Sequence, residues 1–429
     1  MTDLPQMLSV AEARDRILEY FSPVEIEDVP VGEAAGRVLA RDMRAPHDLP
    51  PFANSSMDGF AVRAAEVAAA SQAGPVTLRV SGDIPAGGGM PPALALGTAA
   101  RIMTGAPVPA GADAVVPVED TDEDRERAGR PVPAQVAICR RAEAGANLRP
   151  AGQDLRAGDT VVKAAALLGP ASVGVLAALG YSRLPVYRRP RVAVFSTGDE
   201  LRPVDEPLEP GQIHDSNSYA IAAAVAACGA EPIRLAVAGD RLEDVRARLG
   251  QARASGAQLI ISSAGVSVGA YDVVRTAVEA EGGLRFWRVR MRPGKPLAFG
   301  QVGGVPFFGL PGNPVSALLT FEVFVRPAVL KLAGRRSFGR LVIQAALRES
   351  LHSDGRETYV RVVVEQQGDA YVARPAGDQG SAVMSTLVRA NGLLVLPEGT
   401  LKAAAGDRFP VWLLDGAEIA AANAAEQAE

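Results

Sequence analysis

The spacing of apolar and polar positions divides the chain into stretches of different period. Ser9 to Phe21 sets Val10, Ala13, Ile17, Leu18 and Phe21 on one helical face behind a capping box of Ser9 and Glu12, which predicts a docking helix. Val31 to Leu39 reads as a second, shorter helix. From Val76 to Ile138 the pattern changes to short β-like runs, VTLRV, AVVPVE and QVAI, between Gly/Pro turns, and predicts a small, mostly β module. A helical stretch follows over Ala171 to Gly180. If Val10 to Phe21 packs against it, the β module is an insertion within a discontinuous domain.

Strands and helices alternate beyond that point. Arg191 to Phe195 is a strand ending in STGDEL, Ser216 to Ala227 a helix capped from Asp215 or Ser216, and Ile233 to Val237 a strand. A helix over Leu242 to Ala254 leads to the apolar run Leu259 to Ile261, and Asp272 caps the helix after it. Strands at Leu284 to Arg290 and Val305 to Leu310 complete a parallel αβ domain, the last ending in PGNPVSALLTFEVF with Asn313 as cap and Pro314 at the first helical position. Leu341 to Leu414 is strand-like again and reads as a small β-barrel or sandwich. The alanine-rich tail from Gly416 is expected to fray.

A length of 429 residues implies about three domains. With 48% hydrophobic and 22% charged residues and a formal charge of -5, this is an ordinary soluble composition whose acidity argues against bulk nucleic-acid binding. The two cysteines, Cys139 and Cys228, lie in apolar stretches and read as free thiols of a reducing compartment. MTDLPQMLSV lacks the pattern of a secretory leader, and the most apolar tract, Val161 to Gly180, is interrupted by Lys163, Pro170 and three glycines. A cytoplasmic location without membrane contact is expected. Three scattered histidines argue against a histidine-built zinc site, leaving a hard cation on carboxylates, most plausibly magnesium.

Ligands of parallel αβ sheets collect outside the carboxyl ends of the strands, and those ends carry the candidate chemistry. Ser262, Ser263, Gly265 and Ser267 in QLIISSAGVSVGAYD form a small-residue turn where backbone N–H groups can meet an anion such as phosphate. Asp199, Glu200, Asp240 and Asp272 also fall at strand ends, as do Pro311, Gly312 and Asn313. Their convergence on magnesium and their service as helix caps are both open. In RFWRVRMRPGK, strand periodicity puts Arg288, Arg290 and Arg292 on one face near Lys295, suited either to an oxyanion or to solvent. Upstream, APHDLPPFANSSMDGFA holds Asn54, Ser55, Ser56 and Asp58, and ARIMTGAPVP holds Thr104. GANLRPAGQDLRAGDT adds Asn147, Arg149 and Asp154, and a polar insert, Gln379, Gly380, Ser381 and Ser385, interrupts the final strands.

Together PPFANSSMDGFA, RIMTGAPVP with GADAVV, STGDEL, SSAGVSVGAYD and MRPGKP followed by GLPGNPVSA resemble the molybdopterin molybdenumtransferase family, MoeA in bacteria and the homologous domain of gephyrin. The resemblance spans essentially the whole chain. It implies a multidomain α/β fold: a central parallel αβ molybdopterin-binding domain similar to MogA (187–333), an inserted mostly-β domain (45–145), a discontinuous N-terminal domain (1–44 with 146–186) and a C-terminal β-barrel (334–415), before the tail (416–429). It further implies an elongated homodimer with the active site between subunits, small-molecule substrates and transient contact with other proteins of molybdenum cofactor biosynthesis. The implied reaction inserts molybdate into adenylylated molybdopterin with magnesium-dependent release of AMP.

Carried across by motif, the resemblance implies site roles for Asp58, Thr104, Asp154, Glu200, Asp240 and Asp272, with Glu200, Asp240 and Asp272 as metal ligands. Arg288, Arg292 and Lys295 match its basic positions, and Arg356 and Ser381 its C-terminal ones. The sequence departs from the family at Ala53, Ala146, Gln153 and Ala264, where acids or, at 264, a second glycine are common. Two alternatives stand beside it: a molybdopterin adenylyltransferase, which the αβ domain also resembles but against which the added β domains and PPFANSSMDGFA argue, and a non-catalytic molybdopterin-binding scaffold.

Overall fold

The computed structural model describes residues 7–123, 131–263 and 271–414, without the side chains of 271–272 and 285–287. Contacts divide the chain into two compact units, Arg41–Ala164 with Pro170–Arg183, and Met1–Ala40 with Ala165–Gly169 and Leu184–Glu429. The tail from Gly416 lies outside the described residues.

Helix α1 (Val10–Leu18) starts at the expected capping box. Ser9 Oγ accepts from Glu12 N at 3.2 Å, and the Glu12 carboxylate accepts from Ser9 N at 2.9 Å. The second helix expected over Val31 to Leu39 does not form. A single 3₁₀ turn covers Val31–Glu33, and the backbone beyond it is spent on pairing, with Gly36 N donating to Leu168 O and Leu39 N to Ala166 O.

In the smaller unit, five strands form one sheet: β1 (Gly59–Val62), β2 (Val76–Ile84), β3 (Thr98–Ile102), β4 (Ala114–Pro117) and β5 (Gln135–Ile138), in the order β4-β1-β3-β2-β5. Phe60, Val62, Leu78, Val116 and Ile138 fill its core. Arg101 on β3 grips Asp83 on β2 with a two-pronged bond, 2.9 Å from Nε and 2.6 Å from Nη2. That bond holds the Asp83 carboxyl below its usual range. The helix α2 (Pro170–Ala178) belongs to the same unit.

The larger unit contains the αβ sheet. In chain order its elements are β6 (Arg191–Ser196), α3 (Asn217–Ala227), β7 (Glu231–Arg234), α4 (Leu242–Ala254), β8 (Leu259–Ser263), α5 (Tyr271–Glu281) and β9 (Leu284–Arg288). The short β10 (Met291–Arg292) comes next, then β11 (Pro296–Val302), β12 (Val305–Leu310), α6 (Pro314–Thr320) and α7 (Arg326–Leu332). Strand order is β7-β6-β8-β12-β11-β9. The first four strands run parallel, but β11 is antiparallel to both β12 and β9, so the expected parallel sheet is mixed. The cause is a hairpin: Gly303-Gly304 forms a two-residue turn that returns the chain at once.

The two faces of this sheet are covered by different helices. Residues of α1, α3, α6 and α7 pack on one face, where Phe21, Phe299 and Phe308 stack with centroids 5.0–6.3 Å apart. Val245 and Leu249 of α4 and Val274 and Ala277 of α5 cover Phe195, Ile260 and Phe307 on the other. The docking face of α1 therefore serves the αβ core.

The C-terminal sheet combines β10 with β13 (Val342–Leu347), β14 (Glu357–Gln367), β15 (Ala370–Pro375), β16 (Gly392–Leu396) and β17 (Arg408–Leu413); α8 (Ser385–Arg389) lies in the connection before β16. The order β10-β14-β15-β13-β17-β16 closes through β14–β16 pairing, which makes it a barrel. No helix among the described residues is long and apolar enough to cross a membrane.

Gly59 on β1 allows a close strand approach, since a Cβ there would lie 2.0 Å from the Val116 carbonyl oxygen. Gly59→Ala should cost about 1–3 kcal/mol, weakening the β1–β5 sheet first. Hydrogen exchange that leaves β1 and β4 as protected as in the parent would contradict that packing.

Candidate active site

The carboxyl ends of β6, β8 and β12 are cross-linked by side chains. Asp215 is buried, so its charge needs donors, and it has three: Ser196 Oγ at 2.7 Å and Ser218 N at 3.1 Å on Oδ1, and Ser218 Oγ on Oδ2. Of the two expected caps of α3, Asp215 is the one whose side chain bonds the helix N-terminus. Next to it, Asn217 Nδ2 donates to Ser263 Oγ at 2.8 Å and to Gly312 O at 2.7 Å, while Ser263 Oγ donates to Pro311 O at 3.3 Å.

Two further hydroxyls at this edge have no such partner. Thr197 Oγ1 and Ser262 Oγ are buried without a hydrogen bond among the described residues. Gly265 and Ser267 lie outside the described residues. Asp272 stands in the first turn of α5, one residue inside the helix instead of at its cap, and its side chain is also outside the description.

Asp199 and Asp240 face each other across neighbouring strand ends. Asp240 N donates to Asp199 Oδ1 at 3.0 Å and Asp199 N to Asp240 Oδ2 at 3.4 Å, leaving each carboxylate its other oxygen. The Glu200 carboxylate folds back on Gly198, where a Cβ would meet it at 2.6 Å. No three His, Cys, Asp or Glu side chains gather as metal ligands among the described residues.

Asn313 begins α6, but its side chain makes no cap. Instead Nδ2 donates to Ser381 Oγ at 3.0 Å, and Val315 N donates to Ser381 O at 3.2 Å. Ser381 thus reaches the α6 N-terminus from the polar insert of the barrel. That insert hangs on Arg361, a fully buried arginine of β14. Its Nε donates to Thr386 Oγ1 at 2.7 Å and its Nη2 to the carbonyls of Asp378 and Gly380 at 2.8 and 3.2 Å, with Nη1 unpartnered among the described residues. Burial pushes the guanidinium below its ordinary pKa. Gln379 adds a backbone-like clasp, accepting from Arg361 N at 3.0 Å and donating to Arg361 O at 3.1 Å. Arg356, by contrast, is engaged locally with the Asp354 carboxylate and with Met291 O at 3.0 Å.

The basic stretch is broken where one strand was expected. β9 stops at Arg288, Val289 N donates to Lys295 O at 3.0 Å, and β10 crosses to the barrel. Burial still alternates, with Val289 and Met291 inside and Arg288 and Arg292 exposed. Arg290 is removed from the trio by an ion pair with Glu398 at 2.8 Å. Arg288, Arg292 and Lys295 make no ion pair among the described residues. Gly294 makes the turn before Lys295 at φ 107°, where a Cβ would lie 2.5 Å from Thr320 Oγ1, so no other residue fits.

In the smaller unit, Asp58 and Thr104 meet. Asp58 Oδ1 accepts from both Thr104 N and Thr104 Oγ1 at 2.7 Å, on an exposed edge. The loop before Asp58 is held by Asn54 and Ser55 pairing with Arg149 and Leu148, and by Gly105 N donating to Ser55 O at 2.8 Å. Asp154 in this unit is exposed, and its N donates to Leu49 O at 3.0 Å.

Sequence reading missed Arg361 and the bridging part of Asn217. The signal for Arg361 was an arginine inside the apolar run TYVRVVV, where a buried charge obliges its neighbours to supply acceptors. Replacing it tests that dependence: Arg361→Met should cost about 1–3 kcal/mol and free the 377–384 segment. Equal protease resistance of that segment in variant and parent would show that Ser381 is held by other means.

The whole chain has counterparts. The MoeA N-terminal region (domain I and II) matches residues 8–180, a family described as a probable molybdopterin binding domain matches 193–331, and the MoeA C-terminal region (domain IV) matches 344–414. A Mycobacterium tuberculosis protein named molybdopterin molybdenumtransferase 2 is 42% identical over 95% of this chain and 99% of its own. A Nostoc molybdopterin molybdenumtransferase is 39% identical over 88% and 86%. The crystal structure of a molybdopterin biosynthesis MoeA protein from Pyrococcus horikosii superposes with a TM-score of 0.81 at 32% identity, covering 96% of this chain and all of that one. By near full-length identity and matching architecture, this chain belongs to the MoeA family.

Proposed function

We propose that this protein is a molybdopterin molybdenumtransferase, inserting molybdate into adenylylated molybdopterin and releasing AMP to form molybdenum cofactor. The observation that carries the reading is the 42% identity, over almost the whole length of both chains, to an enzyme of that name. The geometry supports it. A pyrophosphate-bearing substrate needs hydrogen-bond donors, and the β6 and β8 ends hold the buried hydroxyls of Thr197 and Ser262, which have no partner among the described residues. Molybdate is a compact dianion, and the exposed Arg288, Arg292 and Lys295, without an ion pair among the described residues, suit it. Asp58 orients the Thr104 hydroxyl, and Ser381 is presented at the α6 N-terminus by the Arg361-held insert.

Glu200, Asp240 and Asp272 would hold magnesium. Carboxylate oxygens are the donors it prefers, and Asp240 Oδ1 carries no hydrogen bond among the described residues. Magnesium, if held there, would supply charge neutralisation at the leaving phosphate. Asp154 would act from its exposed loop in the smaller unit. Insertion at the substrate's dithiolene sulfurs would proceed without a covalent enzyme intermediate, a reading supported by the lack of a cysteine or histidine nucleophile among the candidate residues. The protein would act in the cytoplasm as a homodimer, in transient contact with other proteins of the pathway.

The test is AMP release from adenylylated molybdopterin with magnesium, with and without molybdate, in the parent and in Asp58→Asn. Release should require molybdate and fall at least about tenfold in the variant, equivalent to about 1.4 kcal/mol of barrier. Substrate binding without AMP release under either condition would point to a scaffold, and ATP consumption with unadenylylated molybdopterin to an adenylyltransferase.

A further inference from the structure

Away from the carboxyl ends of the strands, at the opposite edge of the same sheet, lies a cavity of about 500 Å³. It is walled by the residues entering β6, the C-terminal turn of α3 and the end of α7. Five arginines line it, Arg37, Arg188, Arg189, Arg326 and Arg335, and no carboxylate does. Neutralisation from outside the lining is incomplete. Glu27 is shared by Arg37 and Arg188, the latter at 3.6 Å, and Glu322 is shared by Arg326 and Arg340. Arg189 and Arg335 have no ion pair among the described residues.

Two of the five are already fixed as walls. Arg37 donates to Tyr187 O at 2.9 Å and Arg326 to Phe338 O at 2.7 Å, with their side chains only 10% and 14% exposed. Arg188, Arg189 and Arg335 are left to act on a ligand. Val38, Leu330 and Ala333, all buried, add an apolar surface to the lining that serves as its floor. Uncompensated guanidinium groups repel one another, and their planar forks match phosphate oxygens in pairs. A small apolar floor beneath them accepts the organic body attached to that phosphate.

We propose that this cavity binds an organic phosphate, a phosphoryl dianion on a compact planar or apolar body, independently of the strand-end site. Arg189 and Arg335 hold the phosphate, and Arg188 adds charge at the rim.

The probes are ADP and inorganic pyrophosphate, titrated calorimetrically into the full chain at low salt. Three variants are compared with the parent: Arg189→Ser/Arg335→Ser, Arg189→Lys/Arg335→Lys, and Arg292→Ser/Lys295→Ser as an equal loss of charge at the other edge. One ADP-binding step should weaken at least about tenfold in the double serine variant and less in the lysine variant. That step should persist in Arg292→Ser/Lys295→Ser and be weaker for pyrophosphate, which cannot use the floor. The lysine variant preserves charge and fold, so its partial retention separates recognition from misfolding. A titration in which no step depends on Arg189 and Arg335, or in which every step is lost with Arg292 and Lys295, overturns the proposal.

Discussion

Strand β8 is buried on both faces, from Leu259 through Ser263, between β6 and β12. That constraint governs the larger unit. A strand with no solvent face cannot place chemistry along its length, because each unpaired polar group would carry its full desolvation cost. Polar residues are therefore confined to the strand ends, where neighbouring loops and helix termini can satisfy them. Asp215, Asn217, Ser196 and Ser263 show the result, a hydrogen-bonded edge in which each buried group finds a partner, set beside the hydroxyls of Thr197 and Ser262, which have none among the described residues.

The barrel extends the same logic by a different route. Its insert would be a mobile polar loop without Arg361, whose burial is tolerated only because carbonyls and a hydroxyl converge on it. The energy of satisfying one buried charge is thereby used to order a loop, and the ordered loop brings Ser381 to Asn313. Two sheets of different topology contribute to one edge because β10 leaves the αβ chain path and joins the barrel. The break after Arg288 is thus part of how the two are joined.

What could be read from the sequence follows from which interactions leave a periodic trace. The capping box, the apolar face of α1, the three β-like runs VTLRV, AVVPVE and QVAI and the strand-end position of Ser262 and Ser263 all rest on spacing, and all are found, whereas the strands Gly59–Val62 and Thr98–Ile102 of the same sheet lie in stretches that read as loop and turn. Strand β11 was not read because PLAFGQV is followed so closely by VPFFGL that the two-glycine hairpin between them is easily passed over. The false helix at Val31 to Leu39 has adequate composition, but its backbone bonds are taken by residues 165–168, more than a hundred positions away. Arg290 looked like a ligand group by periodicity alone, and only the approach of Glu398 from the barrel distinguishes it from Arg288 and Arg292.

The departures from the family pattern point the same way. The described hydrogen bonds of Ala53, Ala146 and Gln153 are made by backbone: Val108 N donates to Ala53 O at 3.0 Å, Val115 N to Ala146 O at 2.9 Å, and Gln153 N to Pro150 O at 3.3 Å. Ala264 lies outside the described residues. At Ala53 and Gln153 the described bonds ask only for a peptide group, whereas Ala146 also offers its methyl group to the core of the smaller unit. Close backbone approach makes the opposite demand at Gly59 and Gly294, where any Cβ would collide. Tolerance at each position is therefore decided by whether it offers its backbone or its side chain to its neighbours, a distinction that spacing in a single sequence does not carry.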